Sequence, residues 1–364
     1  MNKHSSYVKT FKIATDLVKM LFDGGFAILE GKEWSKFRSK VNPFFNMDKL
    51  KPLVPAFQLC SADVLKKWND RISKDGGSSV IDVFPDLEIF TGAILSQLMF
   101  SSIYTEQIKQ TFLQLAELGT LARIHSKLFS LPGEKYLPTQ PNRRANEIVK
   151  YARASFTSMI NDRLQGKAGA PVSGFETSST LLTWTILMLA YHQDWQARAR
   201  EEVFQVLGDK KDITSDDLGK LKVVTMIINE VLRLYPPVIE LSRVVKEESK
   251  IKDYTIPKDA LVTFPVLMYH RSTKIWGEDA GEFNPQRFAD GVLKAANGEA
   301  AFMPFGWGPR ICIGMNFAIL ESKTFMAMLL REFSFEFSPT YTHAPVVAFT
   351  IQPQLGAPVV MKKL

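Results

Sequence analysis

The stretch "FMPFGWGPRICIG", Phe302 to Gly314, runs straight into the helix-like segment "MNFAILESKTFMAMLL", Met315 to Leu330. Its glycines and prolines make a tight loop ahead of a helix. That loop sets Cys312 near a helix N-terminus, where backbone N–H groups and the helix dipole favour a thiolate. A thiolate there can ligate a metal, but no second cysteine or histidine stands at zinc spacing. The metal would therefore draw its remaining ligands from a cofactor, a condition that a haem iron held by one protein thiolate meets. Gly308 and Gly314 would let the backbone approach a macrocycle, and Arg310 offers a fork to an anionic propionate. The competing reading is a structural cysteine buried in a turn.

Composition limits the rest. The chain has 364 residues, 46% of them hydrophobic, enough to bury a large core as one big domain or two smaller ones. Its two cysteines, Cys60 and Cys312, lie far apart in sequence, so no disulfide framework is expected. Lysines and arginines give a formal charge of +7 but are spread along the chain, and no basic run with interleaved aromatics points to nucleic acid. No stretch reaches the roughly 18 apolar residues that span a bilayer. The start "MNKHSSYVKTFK" lacks the pattern of a signal peptide.

The pattern is mostly helical, with strands clustered late. "LKPLVPAFQLCSADVLKKWNDRI" spaces apolar residues by three and four and puts Cys60 on the apolar face, as inert core. Further helices are expected in "FPDLEIFTGAILSQLMF", "IKQTFLQLAELGTLARIHSKLF", "RRANEIVKYARASFTSMINDRL", "WQARAREEVFQVL" and "VVTMIINEVLRLY", and "LLTWTILMLAY" reads as a helix buried in the core. Strands are expected in "RVVKEESKI", "ALVTFPVLMY" and "FSFEFSP". A closing hairpin would pair "VVAFTI" with "APVVMKKL" through "QPQLG". The segment most like a linker is "QGKAGAPVSG", Gln165 to Gly174.

Two groups of polar residues carry chemistry of their own. Glu230 and Arg233 in "NEVLR" share a helix face, and Arg287 of "FNPQRF" could complete a bidentate network with the carboxylate; a solvated salt bridge is the alternative. In "SGFETSSTLLTWT", Glu176 and Thr177 set an acid beside a hydroxyl ahead of an apolar helix, where they could pass protons. The other reading is a helix start, with Ser173 and Glu176 forming a capping box. His270 in "MYHRS" reads as a hydrogen-bonded structural histidine, because no nucleophile accompanies it.

"FGWGPRICIG" resembles the haem-binding signature of the cytochrome P450 family, F-x-x-G-x-R-x-C-x-G, matched by Phe305, Gly308, Arg310, Cys312 and Gly314. The family's E-x-x-R pair follows as Glu230 and Arg233, with "LYPP" after it, and its later arginine as Arg287. "EGKEWSKFRSKVNPFF", "DWQARAREEV" and "FGWGPRICIGMNFA" resemble most the plant clan that includes secologanin synthase and triterpenoid oxidases. The resemblance implies a cytochrome P450 fold, mainly α with a small β region. It implies Cys312 as the axial ligand of the iron in haem b and a buried structural brace of Glu230, Arg233 and Arg287. Trp34 and Arg38 match the family's W-x-x-x-R helix and Arg243 its strand arginine; with Arg310 they would bind the haem propionates. Glu176 and Thr177 match the end of the family's Ala/Gly-Gly-x-Asp/Glu-Thr motif, whose first position is Ser173 here, and would carry the proton chemistry.

The activity so implied is that of a haem-thiolate monooxygenase. It inserts one oxygen atom from O2 into a hydrophobic, terpenoid-class substrate, with electrons from NADPH through NADPH-cytochrome P450 reductase. "PPVIEL" and "QPQLG" correspond to segments that line the family's substrate pocket. The resemblance also implies the cytosolic face of the endoplasmic reticulum membrane. Measured against the family's pattern, residues 1–364 read as a single catalytic domain without the usual N-terminal anchor. Only "QGKAGAPV" stands where part of the central helix region is expected. A non-catalytic remnant that binds haem poorly or not at all is the alternative.

Overall fold

The computed structural model describes residues 7–9, 29–100, 110, 111, 114, 117, 139–161, 172–296, 301–347 and 349–364. The chain divides into two compact units. The first comprises Met1–Pro43, Met99–Ser173 and Glu240–Pro265, and the second comprises Phe44–Leu98, Gly174–Ile239 and Val266–Leu364. The expected helix "IKQTFLQLAELGTLARIHSKLF" lies almost wholly outside the described residues, as does most of "QGKAGAPVSG".

In the first unit, strand β1 (Tyr7–Lys9) pairs antiparallel with a later strand, and helix α1 (Gly31–Val41) carries Trp34 and Arg38. α1 has no fully buried side chain, and both of these residues are half-buried.

Most helices belong to the second unit. α2 (Val54–Lys74) opens with Pro55 in its first turn, where a missing N–H costs nothing. It then buries Phe57, Leu65, Trp68 and Ile72 along one face. Arg71 and Lys74 close it, favourably placed against the negative end of the dipole. β2 (Ser78–Asp82) follows, and then the helices α3 (Val83–Phe100), α4 (Gln140–Asn161, in the first unit), α5 (Val172–Tyr191) and α6 (Gln193–Leu207).

α7 (Ser215–Lys220) starts on a capping box, with Thr214 accepting from the Asp217 N–H while the Asp217 carboxylate accepts from the Thr214 N–H. α8 (Lys222–Leu234) buries Val224, Ile227, Ile228 and Val231, and stops ahead of Pro236 and Pro237, which cannot continue it.

Back in the first unit, β3 (Leu241–Val245) lies between β1 and β6 (Leu261–Phe264), with β4 (Ser249–Ile251) and β5 (Tyr254–Ile256) forming a separate hairpin. Two strand expectations need correction. "RVVKEESKI" is two strands, β3 and β4, broken by a turn, and "ALVTFPVLMY" is a strand only to Phe264. Pro265 ends the ladder because it has no N–H to donate, and α9 (Val266–His270) follows.

The second unit ends with α10 (Met315–Glu332), β7 (Phe333–Phe337), β8 (Pro345–Val347), β9 (Ile351–Pro353) and β10 (Pro358–Lys363). The expected closing hairpin is also corrected. β8 pairs with β9, whereas β10 lies between β2 and β7, setting Val359 opposite both Ile81 and Phe337. The alternation of "APVVMKKL" shows which side chains face the core, but not which edge the strand joins. Gly356 turns the chain into β10 at φ +79°, and a Cβ there would meet an Asp82 carboxylate oxygen at 2.5 Å. That same carboxylate accepts the Ala357 N–H at 2.8 Å.

Aromatic pairs join α10 to α2 and α3: Phe57 meets Phe317 edge-on at 5.2 Å, and Phe325 contacts Trp68 at 6.0 Å and Phe90 at 4.7 Å. Helices dominate this core and the β component is small, as expected. α2 places Cys60 on a half-buried position, less enclosed than the core reading has it, and burial pushes its thiol up to about 11.

Candidate active site

Local chemistry shapes the loop before α10. Gly306 and Gly308 take φ +76° and +71°, and a single tight turn covers Gly308–Arg310. The Cys312 N–H donates to the Phe305 carbonyl at 2.8 Å, closing the loop on itself, and Gly314 is the N-cap of α10. Cys312 is exposed, which rules out the buried structural cysteine. A Cβ at Gly314 would lie 3.9 Å from its sulfur. Phe305 and Arg310 are half-buried in the same loop.

A buried network holds the loop from behind. Arg233 and Glu230 are both 0% exposed and meet through two bonds of 2.7 Å, so the solvated salt bridge is excluded. The rest of the Arg233 guanidinium is filled by the carbonyls of His270 (2.7 Å), Ala280 (2.5 Å) and Glu282 (3.0 Å). Arg287 joins the brace differently from the expected fork. Its Nε lies 3.5 Å from Glu230, while its terminal nitrogens fork onto the Asp279 carboxylate at 2.8 and 3.1 Å. Arg287 thereby holds the Asp279 carboxyl below the usual carboxylate range.

His270, whose carbonyl serves Arg233, accepts the Met303 N–H on Nε2 at 3.0 Å. It stacks on Phe302 with ring centres 5.5 Å apart. This is the structural histidine expected, and burial lowers its pKa to about 4.

On α5, Glu176 is 8% exposed, and burial pushes its carboxyl up, opposed by hydrogen bonds from Thr350 and Gln352. Thr350 Oγ1 donates to Glu176 Oε1 at 2.9 Å and Gln352 Nε2 donates to the same oxygen at 2.8 Å. Thr177 is half-buried beside it. α5 begins at Val172, which leaves Ser173 inside the helix, so the capping-box reading gives way. The Ile351 N–H donates to the Pro237 carbonyl at 3.1 Å, which brings "PPVIEL" to the β9 strand that leads into "QPQLG".

In the first unit, Arg243 is half-buried with Nη1 on the Ser242 carbonyl at 2.8 Å. Burial lowers its pKa, and Glu30 opposes the shift. Sequence reading missed Asp279, Thr350 and Gln352. Only Gln352 had a signal, as part of the expected pocket-lining tip.

The family model for cytochrome P450 matches residues 2–168 and 171–355. The chain is 40% identical to secologanin synthase 2 of Catharanthus roseus, with 99% of this chain and 76% of that protein aligned. It is 41% identical to cytochrome P450 72A15 of Arabidopsis thaliana over 98% and 75%, and 40% identical to cytochrome P450 CYP72A219 of Panax ginseng over 96% and 74%. The chain belongs to the cytochrome P450 family, the haem-thiolate monooxygenases. Its cofactor is haem b, and the loop fits that group. No cluster of three or more His, Cys, Asp or Glu side chains suited to a metal occurs among the described residues. A lone exposed thiol with an arginine two residues before it suits an iron that brings its own macrocycle.

Proposed function

We propose that the chain, residues 1–364, is one catalytic domain that inserts an oxygen atom from O2 into a hydrophobic, terpenoid-class substrate, with electrons from NADPH passed through NADPH-cytochrome P450 reductase. The observation that carries this reading is the exposed Cys312 sulfur, presented by a loop closed on the Phe305 carbonyl at the start of α10.

Bound haem supplies dioxygen binding and reduction. Cys312 would hold its iron, with Gly314 beside the sulfur at the N-cap of α10 and Phe305 fixing the loop through its carbonyl. Trp34, Arg38, Arg243 and Arg310 would hold the propionates, the arginines through charge-assisted bonds. Glu176 and Thr177 would move protons. Burial raises the Glu176 carboxyl, which favours its protonated form, and Thr350 and Gln352 fix its Oε1 so that the side chain points one way. Glu230, Arg233 and Arg287 hold the loop and touch no reacting atom.

The terpenoid class is supported by the resemblance to relatives such as secologanin synthase 2, and by the "PPVIEL" segment, apolar apart from Glu240, whose Pro237 carbonyl meets β9. We place the protein at the cytosolic face of the endoplasmic reticulum membrane on family resemblance; no helix among the described residues is long and apolar enough to cross a membrane.

The test is a panel of plant terpenoids added to haem-loaded protein, followed by turnover with reductase and NADPH under isotopically labelled O2. A spectral shift on binding and one labelled oxygen atom in the product are expected. Label arriving from water, or no shift across the panel, would contradict the reading.

A further inference from the structure

A cavity of about 430 Å3 opens beside the N-terminal half of α10. That volume falls in the range of roughly 300–1,000 Å3 typical of small-molecule sites. Asn316, Ile319 and Lys323 recur along one face of α10 and form one wall; Leu218 of α7 and Phe305 and Trp307 of the loop form others. Neither Cys312, Glu176 nor Thr177 lines it.

Lys323 is only 9% exposed. An ammonium has three donors, and Lys323 spends one on the Leu218 carbonyl at 3.1 Å. Among the described residues no carboxylate pairs with it. Glu202 contributes at longer range, but its carboxylate is occupied by the N–H groups of Lys222, Val223 and Val224 at 2.6, 2.7 and 3.1 Å. Burial accordingly lowers the Lys323 pKa. A buried cation without a counter-charge costs stability, and an anion entering the cavity would remove that cost.

We propose that this cavity binds a small amphipathic carboxylic acid, its carboxylate on Lys323 and its apolar tail running along Ile319 towards Phe305 and Trp307. Charge complementarity and shape both favour this occupant. From Lys323 to Met315, which also lines the cavity, the helix spans about 12 Å, the reach of a medium-length alkyl chain. Apart from Asn316, the α10 wall along that path is apolar, while Lys323 marks one end.

Decanoate and decanol, which share a tail and differ in charge, test the proposal by calorimetry on the haem-loaded protein, with an azole saturating the iron so that the haem pocket is closed to both. Decanoate should bind at least ten-fold tighter than decanol. Lys323→Met should abolish that preference by weakening decanoate alone, Lys323→Arg should keep it, and Ile319→Trp should exclude both ligands. Lys323→Met should also melt no lower than the parent without ligand, which separates lost binding from lost folding. Equal affinity for the two ligands, a preference that survives Lys323→Met, or no binding of either would overturn the proposal. So would finding the cavity shielded from solvent only when the reductase is bound, which would assign this face to a protein partner.

Discussion

Arg233 and Glu230 are joined by two bonds of 2.7 Å with no exposure to solvent, and the same guanidinium ties down the carbonyls of His270, Ala280 and Glu282. Removing the cation strands a carboxylate and three carbonyls in a dry core. Arg233→Ala should therefore cost about 3–5 kcal/mol and yield poorly folded, haem-free protein. Thermal melting and haem content measure this; a soluble, haem-replete variant with an unchanged melting temperature would contradict burial of the network.

His270 links that brace to the cysteine loop, its carbonyl on Arg233 and its Nε2 on the Met303 N–H. Its folded pKa of about 4 lies below the ordinary 6.5, so between these values the unfolded chain binds the extra proton. Its contribution is present above pH 6.5 and lost as pH falls towards 4. His270→Gln, which keeps an acceptor but cannot titrate here, should lessen the acid-induced loss of haem over that window. His270→Leu should release haem at neutral pH. Identical acid profiles for the parent and the Gln variant would remove His270 from this role.

Glu321 on α10 has the opposite sign. It is fully buried, and burial pushes its pKa up to about 8, opposed in part by a hydrogen bond from the Ser178 side chain. The folded protein holds a proton there that the unfolded chain gives up above about 4.5. Stability should therefore decline as pH rises from about 4.5 towards 8. Glu321→Gln should flatten that slope and raise the melting temperature above pH 8. A parallel pH profile in the variant would show that Glu321 does not titrate in this window.

Thr177 and Glu176 should govern how electrons are used. Thr177→Ala and Glu176→Gln should keep haem and substrate binding while diverting electrons from product into peroxide and water, because protons then arrive unpositioned. Product and peroxide per NADPH consumed are the readout. Coupling equal to that of the parent in both variants would take the pair out of the proton path.

The parts of this protein legible in its sequence are those built from local spacing. The loop around Cys312 has its glycines, arginine and cysteine within ten residues, and Glu230 and Arg233 are neighbours on one helix turn. What sequence could not supply is long-range pairing. Thr350 reaches Glu176 across 174 residues, Asp279 claims the fork of Arg287, and β10 joins β2 and β7 instead of "VVAFTI". Alternation and helix periodicity tell which face of an element is buried, and they carry no record of what it is buried against.

The central claim is that Cys312 supplies the thiolate to a haem iron. The most direct measurement is the absorbance spectrum of purified, reduced, CO-treated protein in the parent, in Cys60→Ala and in Cys312→Ala. The parent and Cys60→Ala should show the red-shifted Soret band of a thiolate-ligated haem, and Cys312→Ala should lose it. A Cys312→Ala protein that keeps that band would contradict the account.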